Sequence, residues 1–593
     1  MEVGSKIRYL FYYLASEPSE LSVVKIRIPA RDCRAILRPS MRVLLHFFAF
    51  VAFASFAHAA APSQVTLSVV GTSDLHGHIA ALPWLAGYLE NLRKARASTG
   101  GAVILLDAGD MFQGTLESNL AEGAPVVRAY NALGYNAAAI GNHEFDFGPV
   151  GPAPSPVAPD DDPRGALKAR ATEAHFPFLA ANVVDRKTGK PVAWPNFKPS
   201  AIIDAAGIKV GLVGVVTAWT PRSAFPANVA GLEFLPLAQT IAREARGLRS
   251  RGAKVVIAVV HEGGACTDFS APDRLDSCDA RSEIFAIARQ LPRGTVDAIV
   301  AGHTHQAVAQ RVGAVPIIQA YFNGRAFGRV DLTVDRKSGK VVASHLEEPH
   351  DLCQTGTAES CHPTDYEGSP VYASEEVARL NAPAFAAAQQ KGTESLNVDV
   401  LRPLPHNRKQ ETALGNLLAD LMRAARRPSD VAMINGGGMR AALPAGKLTY
   451  GRLYETFPFD NAFASLRLPA KEFRRLLARS LSHAGSLVSL SGLSVRARCE
   501  QGSMEVALAR PDGSPVRDDE VLTIITTDFL ATGGDGFFAS ARFDYEIGPP
   551  IRDIMAEALR QRGGTLDAGD RSLYDSAHPR FTLPGAVPIQ CSQ

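Results

Sequence analysis

Five short segments carry acidic, histidine and asparagine side chains, the residue types that bind pairs of divalent metal ions. In chain order they are Asp74–His76, Gly109–Asp110, Gly141–Glu144, His261 and Gly302–His305. Two cations held about 3.5–4 Å apart need one shared anionic ligand and several further nitrogen and oxygen donors, with open positions for water and substrate. Each segment alone is typical of an ordinary loop, but the set supplies the whole inventory. We therefore expect a two-metal hydrolytic centre.

Buried strands must bring these segments together. Four short runs rich in β-branched residues each end a few residues before a candidate ligand, and they are Ser68–Val70, Val103–Leu106, Lys254–Val260 and Val296–Val300. Such runs are typical of strands buried on both faces. Because open α/β sheets bind ligands beyond the carboxyl ends of their strands, the candidate residues would meet at one edge. The sequence therefore predicts an α/β fold with the site at this edge.

The order of these motifs resembles that of the calcineurin-like metallophosphoesterases and, more narrowly, of the secreted 5′-nucleotidase and UDP-sugar hydrolase family. The resemblance covers nearly all of the chain after residue 60. It implies an N-terminal four-layer metallophosphoesterase β-sandwich flanked by helices, followed by a C-terminal α+β nucleotide-binding domain. The boundaries that we expect are a leader at 1–59, a metallophosphoesterase domain at 60–350, a linker with a helix at 351–395 and a substrate-binding domain at 396–593. The Ala-rich stretch 373–390 predicts the linker helix, with an interruption at Pro383.

The metal ligands follow from the same resemblance. It implies that one metal is held by Asp74, His76 and His305, that the other is held by Asn142, His261 and His303, and that Asp110 bridges the two. Imidazole, amide and carboxylate donors together suit Zn²⁺ or Mn²⁺, with iron and cobalt as alternatives. The sequence does not choose among these metals.

A histidine next to a ligand is a candidate general acid. Water activated between the metals would attack phosphorus in line, and the leaving alkoxide then needs a proton. His143 follows ligand Asn142 directly, and Asp146 three residues on would keep its imidazole charged and oriented. The resemblance gives this pair the same roles. The alternative is that Asp146 caps a helix and that His143 takes no part.

Motifs in the last third of the chain predict a nucleotide pocket. By resemblance, Phe459 and Phe529 stack on the base. The remaining contacts that the resemblance implies are polar ones to base and ribose and charged ones to phosphate, from Asn461, Asp535, Arg440 and, less securely matched, Arg408. A phenylalanine in an apolar stretch is more often a core residue, but both of these lie within longer matching motifs. Asp460 departs from the small residue usual in the family, and a carboxylate there would alter base preference or repel a polyphosphate.

The N-terminal region predicts export. Residues 41–59 have a basic start, an apolar stretch and an Ala57-His58-Ala59 exit, which is typical of a signal peptide cleaved after Ala59. A membrane anchor is the alternative, but His46 interrupts the stretch, which is shorter than a span needs. We interpret Met41 as the true start and residues 1–40 as an over-extended reading frame.

The mature chain is nearly neutral. Residues 1–59 carry eight Lys and Arg and four Asp and Glu, so without them the formal net charge changes from +2 to −2. A nucleic-acid polymer is therefore not indicated as a partner. The even count of six mature cysteines favours disulfides, and short separations favour Cys266 with Cys278 and Cys353 with Cys361, which leaves Cys499 with Cys591. A zinc site is the alternative for these cysteines, although they lack Cys-x-x-Cys spacing.

A proline-rich segment at 149–163 looks like an insertion next to the proposed catalytic pair. We favour a surface loop, with control of access to the site as the alternative.

The expected protein is a periplasmic or secreted, monomeric enzyme without a membrane span in its mature chain. Its substrates would be nucleotides, most simply nucleoside 5′-monophosphates. The nearest alternatives are a 2′,3′-cyclic-nucleotide phosphodiesterase/3′-nucleotidase and a UDP-sugar hydrolase. More distant ones are a thiosulfohydrolase, against which the two phenylalanine motifs argue, and a nucleotide-binding protein that has lost turnover, against which His143 and Asp146 argue.

Overall fold

The computed structural model describes residues 63–353, 361–483, 485–541 and 543–591. The predicted signal peptide at 41–59 and the predicted start at Met41 lie outside these residues. Among the described helices, none combines the length and the apolar character that crossing a bilayer requires.

The first of two large sheets carries three of the motif-bearing strands. Its central strands are parallel, and Ala326–Asp335 pairs antiparallel with Gln64–Thr72 at one side. In spatial order the strands are Val341–Leu346, Ala326–Asp335, Gln64–Thr72, Ala102–Asp107, Ala137–Ala139, Phe178–Leu179 and Phe197–Lys198, with His350–Asp351 beside Ala326–Asp335.

The second sheet carries the remaining motif strands. Strand Val255–His261 lies at its centre, parallel to both of its neighbours. The order is Ala307–Val312, Val315–Ala320, Ala298–Ala301, Val255–His261, Ile208–Val216 and Ser200–Ala205. All four predicted strands are therefore present, within a few residues of the predicted bounds.

The two sheets pack face to face. Val69 and Ile104 of the first sheet and Leu212 and Ile257 of the second belong to one cluster of fully buried apolar side chains. Helices cover the outer faces, because each sheet buries apolar residues on both sides. The helices of this region are Leu82–Ser98, Leu116–Asn119, Ala124–Leu133, Gly165–Glu173, Thr220–Ser223, Pro226–Val229, Leu237–Ser250 and Glu283–Gln290. Helix, sheet, sheet and helix form the four layers that were predicted.

A long helix, Glu375–Gly392, leads into the C-terminal region. It begins at the cap residue Ser374, whose hydroxyl accepts a hydrogen bond from the Val377 backbone N–H at 3.4 Å, and it continues through Pro383. The predicted helix is thus present but not interrupted. Asn381 donates from Nδ2 to the Ile79 carbonyl at 2.9 Å, which fixes the helix against the N-terminal sandwich.

The C-terminal region is α+β. Its five-stranded sheet has the order Val488–Ser491, Val431–Asn435, Val521–Thr527, Ala462–Pro469 and Tyr545–Pro550. Two three-stranded sheets have the orders Gly446–Thr449, Ser395–Arg402, Gly564–Asp567 and Ser503–Ala509, Ser494–Glu500, Phe581–Thr582. The helices are Ala413–Ala425, Tyr450–Thr456, Ala470–His483, Asp528–Ala531 and Ile551–Arg562.

Three disulfides join the cysteines as predicted. Cys266 pairs with Cys278 and Cys353 with Cys361. Cys499 pairs with Cys591, which ties the tail of the chain to strand Ser494–Glu500. These bonds leave none of the six cysteines for a zinc site.

Candidate functional site

The predicted ligands lie at the carboxyl ends of parallel strands in both sheets: His261 ends its strand, and the others lie in the loops that follow. Five of the seven adopt left-handed backbone conformations, with φ of 51° at Asp74, 48° at His76, 58° at Asp110, 74° at His303 and 58° at His305. Residues other than glycine rarely adopt this conformation, and when they do the strain is concentrated at functional sites. The backbone strain of these loops therefore marks them as a candidate functional site.

The first group of ligand atoms comes from Asp74, His76, Asp110 and His305. The Nε2 atoms of His76 and His305 lie 3.0 Å apart. Asp110 Oδ2 lies 3.8 Å from His76 Nε2, and Asp74 Oδ1 lies 3.6 Å from His305 Nε2. Four donor atoms therefore converge on a point from both sheets.

The second group shares Asp110. His261 Nε2 lies 3.1 Å from Asp110 Oδ2, 3.1 Å from Asn142 Oδ1 and 3.3 Å from His303 Nδ1. Asp110 is thus the carboxylate common to both groups. The structure therefore brings the side chains of all seven predicted ligands close together.

Backbone carbonyls set the tautomers of two of these histidines. His76 Nδ1 lies 2.8 Å from the Gln113 carbonyl, and His261 Nδ1 lies 2.7 Å from the Ala108 carbonyl. A carbonyl accepts, so each Nδ1 carries a proton, and in the neutral ring that can bind a metal each Nε2 presents a lone pair to the cluster. Lone pairs and carboxylate oxygens that face one another need a cation between them, and imidazole with carboxylate and amide suits Zn²⁺ or Mn²⁺. The residues therefore fit a divalent metal pair.

Burial and mutual charge perturb the ionisation of the cluster. Burial raises the pKa of Asp74 to about 7. Burial opposes the charge on His261, but the adjacent Asp110 carboxylate prevails and raises the His261 pKa to about 10. Burial and the charge on His261 lower the His303 pKa to about 3. Groups with opposed ionisation this close together are typical of functional sites.

Glu144 is a buried carboxylate to which the sequence motif gave no role. Its two oxygens accept hydrogen bonds from the backbone N–H groups of Asp110 at 2.8 Å, Met111 at 2.7 Å and Gly141 at 2.6 Å. Glu144 therefore fixes the loop of the shared ligand against the loop of Asn142. The sequence feature that could have suggested this role is its position two residues after the predicted ligand Asn142, in a motif of polar residues.

The predicted catalytic pair is in contact. His143 Nδ1 lies 2.5 Å from Asp146 Oδ2, and the His143 backbone N–H donates to Asp110 Oδ1 at 2.9 Å. Burial raises the pKa of Asp146, opposed by the His143 charge. Asp146 ends the 3₁₀ helix His143–Phe145, yet its side chain bonds the imidazole rather than a backbone N–H. This geometry favours the imidazole-orienting role over the capping alternative.

Arg440 brings the C-terminal region to the metal ligands. Its Nη2 lies 3.2 Å from His76 Nε2 and 3.5 Å from His305 Nε2. A half-buried guanidinium here can bind a phosphate that approaches the same predicted ligands. Burial and the nearby Arg408 lower the Arg440 pKa to about 10, so the group stays charged at neutral pH.

One cavity of about 150 Å³ joins the two regions, and we call it the main cavity. Three predicted ligands do not line it, and all three are buried; they are Asp74, His76 and His261. The other predicted site residues all line it, and they are Asp110, Asn142, His303, His305, His143, Asp146, Arg408, Arg440, Phe459, Asn461, Phe529 and Asp535.

The two predicted stacking rings contact different neighbours. The Phe459 ring centroid lies 5.6 Å from that of His143, and the Phe529 centroid lies 5.9 Å from that of Phe225. Both phenylalanines line the main cavity. Phe225 also lines the cavity and was not predicted, and the Asn435 side chain lines it as well. Asn435 donates from Nδ2 to Asp535 Oδ2 at 2.7 Å.

Asp460 does not line the main cavity. Its carboxylate pairs with Arg552, whose Nη1 also donates to the carbonyls of Phe457 and Phe459, both at 3.1 Å. The structure thus directs Asp460 away from the predicted base pocket, and the residue helps fix the loop that carries Phe459.

Two family profiles match the chain. The profile described as calcineurin-like phosphoesterase matches residues 67–307, and the profile described as 5′-nucleotidase, C-terminal domain, matches residues 392–542.

Individual relatives agree with these matches. Endonuclease YhcR of Bacillus subtilis (strain 168) is 28% identical over 488 residues, which are 80% of this chain and 36% of that protein. A 5′-nucleotidase of Vibrio cholerae is 26% identical over 514 residues, which are 79% of this chain and 85% of that protein. The crystal structure of a 5′-nucleotidase precursor from Thermus thermophilus superposes with a TM-score of 0.65 at 23% identity, covering 85% of this chain and all of that one.

Proposed function

The chain belongs to the family that joins a calcineurin-like phosphoesterase domain to a 5′-nucleotidase C-terminal domain; it is a metal-dependent phosphoester hydrolase, and we propose that it releases phosphate from nucleoside 5′-monophosphates. The observation that supports this substrate most strongly is the main cavity, which is lined by metal-type ligands and by two phenylalanines. A nucleotide needs both kinds of surface at once, because its phosphate is anionic and the two faces of its base are flat and apolar.

We propose that the protein works with two divalent ions. One would be held by Asp74, His76 and His305, the other by Asn142, His261 and His303, with Asp110 as the shared ligand. Such ions, when bound, activate water and stabilise charge on the phosphoryl oxygens. Hydrolysis with added Mn²⁺ or Zn²⁺ tests which of these metals the protein uses.

In this proposal the chain's own residues position the ester and supply the proton. Arg440 and Arg408 hold phosphoryl oxygens, and Phe459 and Phe529 hold the base. A water oxygen forms the new bond to phosphorus while the bond to O5′ breaks, and His143 Nε2 donates its proton to O5′. Asp146 accepts a hydrogen bond from His143 Nδ1 and so favours the charged imidazole that must act as the acid.

Asn461 and Asp535 complete the proposed recognition of the nucleoside. Both line the main cavity, and Asp535 is fixed by Asn435. Burial raises the pKa of Asp535. A ribose hydroxyl can donate to its carboxylate, and the Asn461 amide can pair with a base edge.

We further propose that the protein is exported as a monomer, with cleavage near Ala59 and with domains at 60–350 and 396–593 joined by a linker with a helix at 351–395. The three disulfides support an oxidising compartment. N-terminal sequencing of the purified protein and its mass in solution test these points.

The test of the function is hydrolysis of a panel of substrates, with the products of each separated and quantified. We expect AMP and UMP to be hydrolysed with added Mn²⁺ or Zn²⁺, and chelation to abolish the activity. Preference for 2′,3′-cyclic AMP, 3′-AMP, UDP-glucose or a thiosulfonate over both monophosphates would refute the proposed substrate. Binding of AMP without hydrolysis of any of these compounds would indicate a protein that has lost turnover.

A further inference from the structure

A second, larger cavity adjoins the main cavity, and we call it the side cavity. Its volume is about 700 Å³, and it shares Asp146, Phe225, Phe459 and Asn461 with the main cavity. The shared Phe459 and Asn461 are the residues proposed to contact the base. The side cavity therefore lies next to the place proposed for the base.

The proline-rich segment 149–163 forms one wall of the side cavity. Two contacts anchor it: the Gly151 N–H donates to Glu122 Oε1 at 2.5 Å, and Asn228 Nδ2 donates to the Pro154 carbonyl at 2.7 Å. The same Asn228 amide donates to the Phe145 carbonyl at 2.8 Å, next to the catalytic pair. The segment is therefore a fixed wall of a substrate-sized space and more than a surface loop.

The walls of the side cavity are largely apolar. Leu120, Val157 and Ile547 line it and are 51%, 83% and 54% exposed, so several large apolar side chains lie uncovered around one cavity. Pro152, Pro154 and Phe147 add to the same surface. An apolar guest would cover these groups, whereas in its absence they face water.

The charges of the side cavity argue against an anionic guest. Its two cationic side chains are already paired, Arg552 with Asp460 and Lys391 with Asp553 at 3.9 Å. Glu122, Asp146 and Asp528 add three further carboxyl groups. A second phosphate or an oligonucleotide would meet no uncompensated positive charge there, so a neutral apolar group is the chemistry that fits.

We propose that the side cavity receives a bulky apolar substituent on the base, so that base-modified nucleoside 5′-monophosphates are substrates of this enzyme. This inference rests on the proposed function, because the base must first bind between Phe459 and Phe529. It also gives the proline-rich segment a role in substrate selection.

The test compares AMP with N6-benzyl-AMP, whose added ring is apolar and uncharged. In the unaltered protein we expect kcat/KM for N6-benzyl-AMP to equal or exceed that for AMP. Ile547→Asp places a carboxylate on the cavity wall and should reduce the ratio of the two kcat/KM values about tenfold, because the ring would lose apolar contact. AMP itself should be affected little.

The matched control is Val342→Asp. Val342 is an exposed residue of edge strand Val341–Leu346, with 53% exposure, and it does not line the side cavity. This variant should leave the ratio unchanged. A ratio below one in the unaltered protein, or a ratio that Ile547→Asp does not lower more than Val342→Asp, would overturn the inference while hydrolysis of AMP continues. Absence of AMP hydrolysis would instead refute the proposed function.

Discussion

Replacing Phe529 with alanine tests the base-stacking role. Phe529 belongs to the short helix Asp528–Ala531, which is capped by the Thr527 hydroxyl, and its ring is only partly buried beside Phe225. Loss of a base–aromatic stack costs about 1–3 kcal/mol, which corresponds to roughly a 5- to 150-fold rise in KM for AMP. Because the ring is not fully buried, we expect the fold to lose less than the about 3–5 kcal/mol typical of a core phenylalanine.

Ribose 5-phosphate is the matched substrate for this variant, because it keeps the phosphate and the sugar but lacks the base. Steady-state kinetics of Phe529→Ala should show the loss with AMP and little change with ribose 5-phosphate. Phe385→Ala, at an exposed position of helix Glu375–Gly392, is the control for removal of a ring elsewhere. Equal losses on both substrates would refute the stacking role and indicate a general disturbance of the site.

Three further predictions concern proton transfer, pH and covalent links. Asp146→Asn should lower kcat on AMP about 10²–10³-fold but affect p-nitrophenyl phosphate much less, because a good leaving group needs no proton; equal losses would contradict the general-acid role of His143. Burial raises the Asp528 pKa to about 6, so the folded protein retains a proton that the unfolded chain has released, and stability falls as pH rises from 4 to 6. Asp528→Asn should therefore gain up to about 3 kcal/mol on the wild type between pH 4 and pH 7, and parallel unfolding curves would contradict this. Removing Cys499–Cys591, which spans 92 residues, should destabilise by about 2 kcal/mol more than removing Cys353–Cys361, which spans 8, and denaturant unfolding of the two double alanine variants checks the order.

The convergence of the candidate ligands could be expected from the sequence because it depends on strand topology. Asp110 follows Ala102–Asp107 of the first sheet, and His261 ends Val255–His261 of the second. Parallel strands bring ligands to one edge of each sheet, and the face-to-face packing of the two sheets brings these edges together. Short separations likewise favoured the disulfide pairs that the structure contains.

Other features depend on loop conformation, which periodicity does not encode. The carbonyls of Ala108 and Gln113 carry no side-chain signal, yet they fix the tautomers of His261 and His76. Phe225 reaches the main cavity from a segment that has no polar motif. The proline-rich segment was recognised as irregular, but only its hydrogen bonds to Glu122 and Asn228 reveal that it forms a cavity wall.

Asp460 illustrates the same limit. Its position between Phe459 and Asn461 suggested an effect on the base, whereas the fold pairs it with Arg552 from helix Ile551–Arg562. The partner lies 92 residues further along the chain. Such a long-range ion pair cannot be read from local sequence.

The proposed mechanism requires a metal pair that shares Asp110. Metal analysis of the purified protein, combined with anomalous X-ray diffraction at the metal edges, measures both stoichiometry and position. We expect two ions per chain, one beside His76 and His305 and the other beside His261 and His303. We also expect Asp110→Asn to lose both metal and activity. One ion per chain, ions located away from Asp110, or full AMP hydrolysis by Asp110→Asn would contradict the proposed mechanism.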